Sequence, residues 1–501
     1  MKIKQSIAND LAASLVVFLV ALPLCLGIAI ASGTPPARGL ITGIVGGIVV
    51  GAISGSPLQV SGPAAGLAVI IVQFIQTYGI EMLGPILLLA GLIQLIAGIF
   101  KLGQTFRAIS PAVIYGMLAG IGVLIFASQF HVMIDDRPHE KGLENLLLIP
   151  GAIYKVIFPT DSSTHQAAAI IALITIITLI LWDRFRPKSL KLLPGALVAV
   201  VLATTITTTM KLPIQVIDVP ANIAETIQVP TLPDLGRVFR APLLLEALTI
   251  AFIASAESLL SAAAVDRLQQ EHKTDFDREL AAQGLGNMVC GALGALPMTG
   301  VIARSSVNVE AGAKTRLSTI LHGVWLLLIV ATASTVLRLV PKASLAAILV
   351  VTGYKLVKVE KIRKLKQYGR FPLIIYFVTL VGVVAIDLLT GVLLGVGLTT
   401  ARVIYKLSRL DLYLEQDEQN QRIDLYLEGA ATFIQLPKLS ATLDQIPPKT
   451  ELHLHLEKLA YIDHSCLDLF STWKQQQEHV GSSLVVQWDS LIKRFQRLTV
   501  P

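Results

Sequence analysis

Charge is what this chain has least of. Only 15% of its 501 residues are Asp, Glu, Lys or Arg, against about a quarter in soluble domains. Residues 39–80 run for 42 positions without one, room for about two passes through a ~30 Å hydrocarbon layer. That excludes an ordinary soluble fold. Cysteine is scarce too: Cys25, Cys290 and Cys466 are far apart and form no CxxC pair, so neither a disulfide framework nor a zinc site is indicated. No nucleophile stands beside a base and no cluster has metal-ligand spacing, so an enzyme is not expected.

What is there is apolar residue, 53% of the chain. The charge is split. Residues 407–501 carry 9 Lys/Arg and 13 Asp/Glu, whereas the first 406 carry 32 against 21. We read residues 1–406 as a transmembrane domain and 407–501 as a cytoplasmic one. The basic balance then belongs to loops and not to a nucleic-acid surface. Lys2 and Lys4 precede an uncharged run at 11–31, longer than the apolar region of a secretory signal, so it reads as a first span. Further spans fall near 39–54, 62–78, 83–100, 108–130, 166–182 and 192–210. A second set lies near 241–265, 280–296, 299–312, 317–337, 341–357, 371–387 and 388–406. With the N-terminus inside, the inner segments hold 20 Lys/Arg, seven of them at 355–370, and the outer loops 9. This bias predicts both termini in the cytoplasm.

The halves are related. Residues 49–57 match 289–297 without a gap, with Val49/Val289, Gly51/Gly291, Ala52/Ala292 and Pro57/Pro297 coinciding. Seven spans per half is odd, so the repeats are expected to be inverted. After each matched proline, Ser61-Gly62-Pro63 and Met298-Thr299-Gly300 interrupt the apolar run. Each looks like the start of a half-helix, with Pro63 at a first helical position and Ser61 or Gly62 capping it. Two such starts meeting near the midplane aim unpaired N–H groups and positive dipole ends at one place, an anion site. The alternative is a pair of plain proline kinks.

Arg304 lies just beyond the second interruption. It never deprotonates, so at that depth it needs an anion, a carboxylate or water. A pair with Glu257 is the structural alternative. Glu257 sits mid-span among alanines and serines, and Ser261, four residues on, shares its face; the two suit a cation or a proton. Glu246 reads as interfacial, Asp387 as a loop or cap residue and His322 as a packed histidine. Pro23 should kink or unwind the first span.

At these residues the chain resembles the sulfate permease (SulP) family of anion transporters. The resemblance is carried by Leu22-Pro23 with Ala31-Ser32-Gly33, by Ser61-Gly62-Pro63, and by Glu257-Ser258-Leu259-Leu260. It continues in Gly286-Asn287-Met288, Arg304 and Gly312-Ala313-Lys314-Thr315-Arg316. It implies a polytopic α-helical membrane protein of fourteen segments in a 7+7 inverted repeat, with spans 1–4 and 8–11 a mobile core and spans 5–7 and 12–14 a gate. It implies an anion between half-helices 3 and 10, surrounded by Ser61, Gly62, Ala64, Gly300, Val301 and Arg304. Glu257 and Ser261 would handle the coupling cation or proton. A homodimer is also implied. The chain departs from the pattern at Leu24, where many members have glutamine. Val301 and Ile302 stand where some bicarbonate carriers have a small residue and a threonine.

The tail reads as a small α/β domain. Ile423, Leu425 and Leu427 alternate with Asp424, Tyr426 and Glu428 as a half-buried strand. Residues 433–446 are helix-like, 451–456 and 483–488 are strands, and Asp463-His464-Ser465 caps a helix running toward 478. This resembles the STAS domain that closes SulP chains, which would bind a regulatory protein. Ser465 reads as a cap before a phosphosite, and His453 and His455 as solvent-facing before metal-binding.

The expectation is a secondary active transporter of a small inorganic oxyanion, bicarbonate or sulfate. Symport with sodium or protons and an elevator-like movement are expected, in a bacterial plasma membrane, with no cofactor beyond a sodium ion at Glu257. The rivals are an uncoupled channel, a chloride/bicarbonate exchanger and proton-coupled dicarboxylate uptake.

Overall fold

The computed structural model describes residues 2–105, 110–139, 142–158, 164–187, 190, 193–218, 220, 223–269, 272–357, 359–417, 421–479 and 481–486. The chain forms two units, Met1–Val396 and Gly397–Pro501.

The first unit is helical. Its main elements are α1 (Lys2–Ala31), α2 (Pro36–Val45), β1 (Ser61–Pro63), α3 (Ala65–Tyr78), α4 (Leu83–Ile99), α5 (Pro111–Met133), α6 (His165–Phe185) and α7 (Gly195–Thr209). After these come α8 (Ala241–Leu268), α9 (Phe276–Ala292), β2 (Met298–Gly300), α10 (Ile302–Glu310), α11 (Leu317–Leu337) and α12 (Lys342–Leu356). The last are α13 (Val359–Gln367), α14 (Arg370–Ala385) and α15 (Leu388–Leu407), the unit boundary falling inside α15. Among the described residues seven helices are long and apolar enough to cross a membrane, with α3, α7, α14 and most of α11 as shorter apolar helices. The apolar surface faces outward as well as inward. On α6, Ile170, Leu173, Ile177 and Ile180 form an exposed stripe at helical spacing, untenable in water and natural against lipid.

Close helix contact in lipid rests on small residues, because chain-like side groups gain nothing over lipid tails. The α4–α9 pair shows this. Backbone at Gly84, Gly91 and Gly98 of α4 lies against Gly291, Gly284 and Ala281 of α9, with no room for a β-carbon on those α4 glycines. Two expectations need correction. Helix α1 is not unwound at Pro23 and stays helical from Lys2 to Ala31, since the bond a proline removes is one among many in a 30-residue helix. Pro63 is not the first residue of a half-helix. It ends β1, and α3 begins at Ala65 with Ala64 as its N-cap. The first residues of the spans at 108–130 and 192–210 lie outside the described residues.

The second unit is a five-stranded sheet of β3 (Leu410–Asp417), β4 (Arg422–Ala431), β5 (Glu451–His455), β6 (Leu459–Ile462) and β7 (Ser483–Val486). Strand β3 is antiparallel to β4; β5 and β6 pair parallel to β4, and β7 parallel to β5. Helices α16 (Leu436–Leu443) and α17 (His464–Glu478) supply Leu439, Leu443, Cys466, Phe470 and Trp473 to a core shared with Ile423, Leu425 and Leu427. The alternation read in β4 is therefore its buried face. Strands β3 and β6 were not legible, and 487–488 of the expected last strand lie outside the described residues. Asp463 is the N-cap of α17, its carboxylate accepting from the Cys466 N–H at 2.9 Å. Ser465 lies one residue inside the helix and is not the cap.

Candidate anion site

The two interruptions meet. β1 and β2 pair antiparallel, with Ser61 opposite Gly300, Gly62 opposite Thr299 and Pro63 opposite Met298. The Val301 N–H donates to the Val60 carbonyl at 2.9 Å just beyond the ladder. Helices α3 and α10 leave this crossing from opposite strands. Their N-caps, Ala64 and Val301, have nearly the same extended backbone and neither offers a side-chain cap. Each helix start thus leaves its first-turn N–H groups, those of Ala65 and Gly66 and of Ile302 and Ala303, without an intrahelical or capping acceptor. The N–H groups of Gly300 and Val301 are used elsewhere, on Ser258 Oγ at 3.1 Å and on Val60.

Arg304 stands in the first turn of α10 and is completely buried. Its guanidinium lies against the backbone of Gly62, where a β-carbon would collide with Nη1. None of its three nitrogens has a hydrogen-bond partner. Glu257, on α8, places its carboxylate at the first turn of α3, where a β-carbon on Gly66 would come within 2.9 Å of Oε2. That oxygen has no well-formed hydrogen bond, and the Thr299 hydroxyl stands beside the same carboxylate. The Arg304–Glu257 ion pair is not formed among the salt bridges of the structure. Instead each charge sits against the start of α3 by way of a glycine. Buried polar atoms are nearly always paired, with protein or with water, so this concentration of polar atoms without protein partners makes the crossing the candidate site.

The Ser61 hydroxyl accepts from Gln283 Nε2 at 2.7 Å, which leaves its own O–H free to donate. Ser261 is buried one turn beyond Glu257. Ala64 and Val301 contribute as N-caps, Gly62 and Gly300 as backbone.

A set of amides and carboxamides that sequence reading missed holds the crossing. Gln283 also donates to buried Glu279 at 2.8 Å, and Glu279 accepts from the Ser56 N–H at 3.0 Å. Asn287 brackets Met298, donating to its carbonyl at 3.1 Å and accepting from its N–H at 2.8 Å, and reaches Gln94 on α4 at 2.8 Å. Ser305 accepts from the Val60 N–H at 2.9 Å, and Asn308 donates to the Leu58 carbonyl at 3.0 Å. The available signal was polar residues inside apolar runs, with Gln283 and Asn287 four apart on one helix face. Glu246 is half-buried at the start of α8. Asp387 accepts from the Thr390 N–H at 2.8 Å and so caps α15, and His322 is packed with Nδ1 on the Thr319 carbonyl at 2.6 Å.

Two uncapped helix starts, each worth about half a positive charge, and one guanidinium against one carboxylate leave about one positive charge uncompensated. Set within apolar helices, this arrangement is that of a multi-pass membrane carrier of anions. The chain belongs to the sulfate permease family, which it matches over residues 7–379. It is 30% identical to the putative sulfate transporter YvdB of Bacillus subtilis, covering 96% of this chain and 92% of that one. It is 25% identical to the bicarbonate transporter BicA of a Picosynechococcus species over 81% of this chain and 72% of that one. Among solved structures, the transmembrane domain of a cyanobacterial BicA superposes with a TM-score of 0.66 at 24% identity, covering 77% of this chain and 97% of that chain. SLC26A9 superposes with a TM-score of 0.79 at 16% identity, covering all of this chain and 88% of that chain. These likenesses bear out the membrane fold, and the sheet-containing C-terminal unit is consistent with a STAS domain.

Proposed function

We propose that the chain is a secondary active importer of a small inorganic oxyanion, coupled to a cation or proton through Glu257 and Ser261. The observation that carries this is Arg304, buried without a carboxylate partner between two uncapped helix starts. An ion-sized charge removed from water costs several kcal/mol after relaxation, and a bound anion offsets that cost. With Glu257 ionised, the residual charge of about one balances a monoanion such as bicarbonate. A dianion such as sulfate requires a second positive charge, met by a proton on Glu257 or a cation beside it and Ser261. Similarity to the bicarbonate transporter BicA and to YvdB, itself a putative sulfate transporter, supports both substrate classes. In this reading the core comprises α1–α4 and α8–α11 with their two strands, and the gate α5–α7, α12, α14 and α15. The core carries the anion past the gate in a homodimer in a bacterial plasma membrane.

The test is uptake of labelled bicarbonate and sulfate into proteoliposomes with an imposed sodium or proton gradient. Wild type is expected to accumulate its anion only with the matching gradient, and Glu257→Gln to lose accumulation while keeping anion exchange. Gradient-driven accumulation by Glu257→Gln equal to wild type would falsify the coupling role and leave an exchanger or channel.

A further inference from the structure

Helix α13 has no part in the anion site, and its composition is unlike any other helix of the first unit. Residues 355–370 contain seven Lys/Arg and one acidic residue, Glu360. The helix is tethered at both ends to apolar helices: α12 stops at Leu356 and α14 starts at Arg370. A nine-residue helix held in this way cannot leave the level of the membrane surface. Ile362 and Leu365 are turned to the protein, Leu365 buried and Ile362 half-buried, while Val359 at the start of the helix is exposed. The Lys361 ammonium stands 5.1 Å from the ring centroid of Tyr115 on α5. Arg363, Lys364, Lys366 and Arg370 are exposed, and no salt bridge joins them to a carboxylate among the described residues. Tyr354 and Tyr368, 73% and 76% exposed, flank the helix on either side. Exposed tyrosines at this level are the usual anchors of the water–lipid boundary.

We propose that α13 is a docking site for anionic phospholipid headgroups of the cytoplasmic leaflet, with Arg363, Lys364 and Lys366 as the charge contacts and Tyr354 and Tyr368 as the interfacial anchors. Charge complementarity selects the occupant. A basic cluster next to a membrane span gains about 1 kcal/mol per Lys or Arg from an anionic surface, which is about fivefold in affinity per charge. Because Lys361 and Leu365 fasten the helix to the body of the first unit, headgroup binding also braces the neighbouring α5 and α14.

The test uses the full chain purified in neutral detergent and titrated with phosphatidylglycerol, with phosphatidylcholine as the neutral control. The thermal midpoint is followed, together with anion uptake in vesicles of phosphatidylcholine with and without phosphatidylglycerol. Wild type is expected to be stabilised by phosphatidylglycerol alone. In R363Q/K364Q/K366Q the lipid mole fraction giving half the effect should rise by tenfold or more, while the midpoint in neutral detergent stays unchanged. The charge-keeping variant R363K should respond like wild type, as should K273Q, which removes a charge elsewhere on the same side. An equal response of the triple variant and wild type to phosphatidylglycerol overturns the proposal. So does a defect of equal size in neutral and anionic lipid, which would assign α13 to a protein partner. Inorganic phosphate reproducing the stabilisation would overturn it as well, since the site would then be for a free ion.

Discussion

Arg304 holds a permanent charge at full burial with no carboxylate among the described residues paired to it, and the neutral Cys25 thiol nearby. A residue kept for stability would be paired. A buried charge without a counter-charge carries an uncompensated desolvation cost that a neutral side chain of similar size relieves, whereas removing it from a ligand that depends on it costs about 2 kcal/mol or more. Arg304→Gln is therefore expected to leave the thermal midpoint without anion unchanged or raised, and to weaken anion binding by about 30-fold or more. Calorimetry of the purified protein with its transported anion measures both; a lowered midpoint with intact affinity would assign Arg304 to the scaffold. Arg304 and Glu257 could be singled out in the sequence because a charge in an apolar run is an anomaly whatever it touches. Ser61 and Gly62 stand out in the sequence too, as part of an interrupted apolar run, but not for what they touch. That a guanidinium lies on Gly62 and a carboxylate on Gly66, and that Ser61 meets Gln283, 222 residues away in the chain, is set by the fold and not by local sequence.

At the scale of elements, capping is where the first reading and the structure differ. Ser61, Gly62 and Pro63 have the composition of a helix start, yet the backbone there pairs with β2 and the helix opens two residues later. Long-range pairing outweighed local preference, and it also kept the true caps apolar, so that no side chain blocks the helix ends. In the second unit the reverse holds: α17 has a strong acidic cap. Burial raises the Asp463 pKa, but bonds from the Cys466 and Phe433 N–H groups outweigh it and hold this carboxyl below its ordinary value. Asp463→Ala should cost the unit about 1–2 kcal/mol, and Ser465→Ala less than about 0.5 kcal/mol. Hydrogen exchange across residues 422–486 of the full chain reads both. A group with a depressed folded pKa stabilises above the unfolded value and loses that contribution as pH falls through the folded one. The gap between wild type and Asp463→Ala should accordingly close once the pH drops below the ordinary carboxylate range. Equal effects of the two substitutions at neutral pH would contradict this assignment of the cap. In the same turn, burial followed by the bond with Asp463 pushes the Cys466 thiol up to about 12, so it stays protonated and inert in the folded unit.

For the whole molecule, hydropathy and charge bias were legible because lipid imposes one rule along the entire chain: apolar where it spans and basic where it stays inside. The bias of 20 Lys/Arg against 9 leads to a direct expectation. Tags at either terminus should be protected from protease in intact spheroplasts and cleaved after permeabilisation; cleavage of either tag in intact cells would refute the orientation. Span boundaries were less legible, since α10 has only nine residues, about 13 Å. Such a segment cannot cross alone and becomes intelligible only beside its counterpart.

The backbone ladder between β1 and β2 has a mechanical corollary. Because the two sequence repeats are stitched together at the very spot proposed for the cargo, that cradle has no seam along which it can open. Whatever exposes it to one side of the bilayer and then the other must shift the cradle whole, like a sealed cartridge, or move the walls around it.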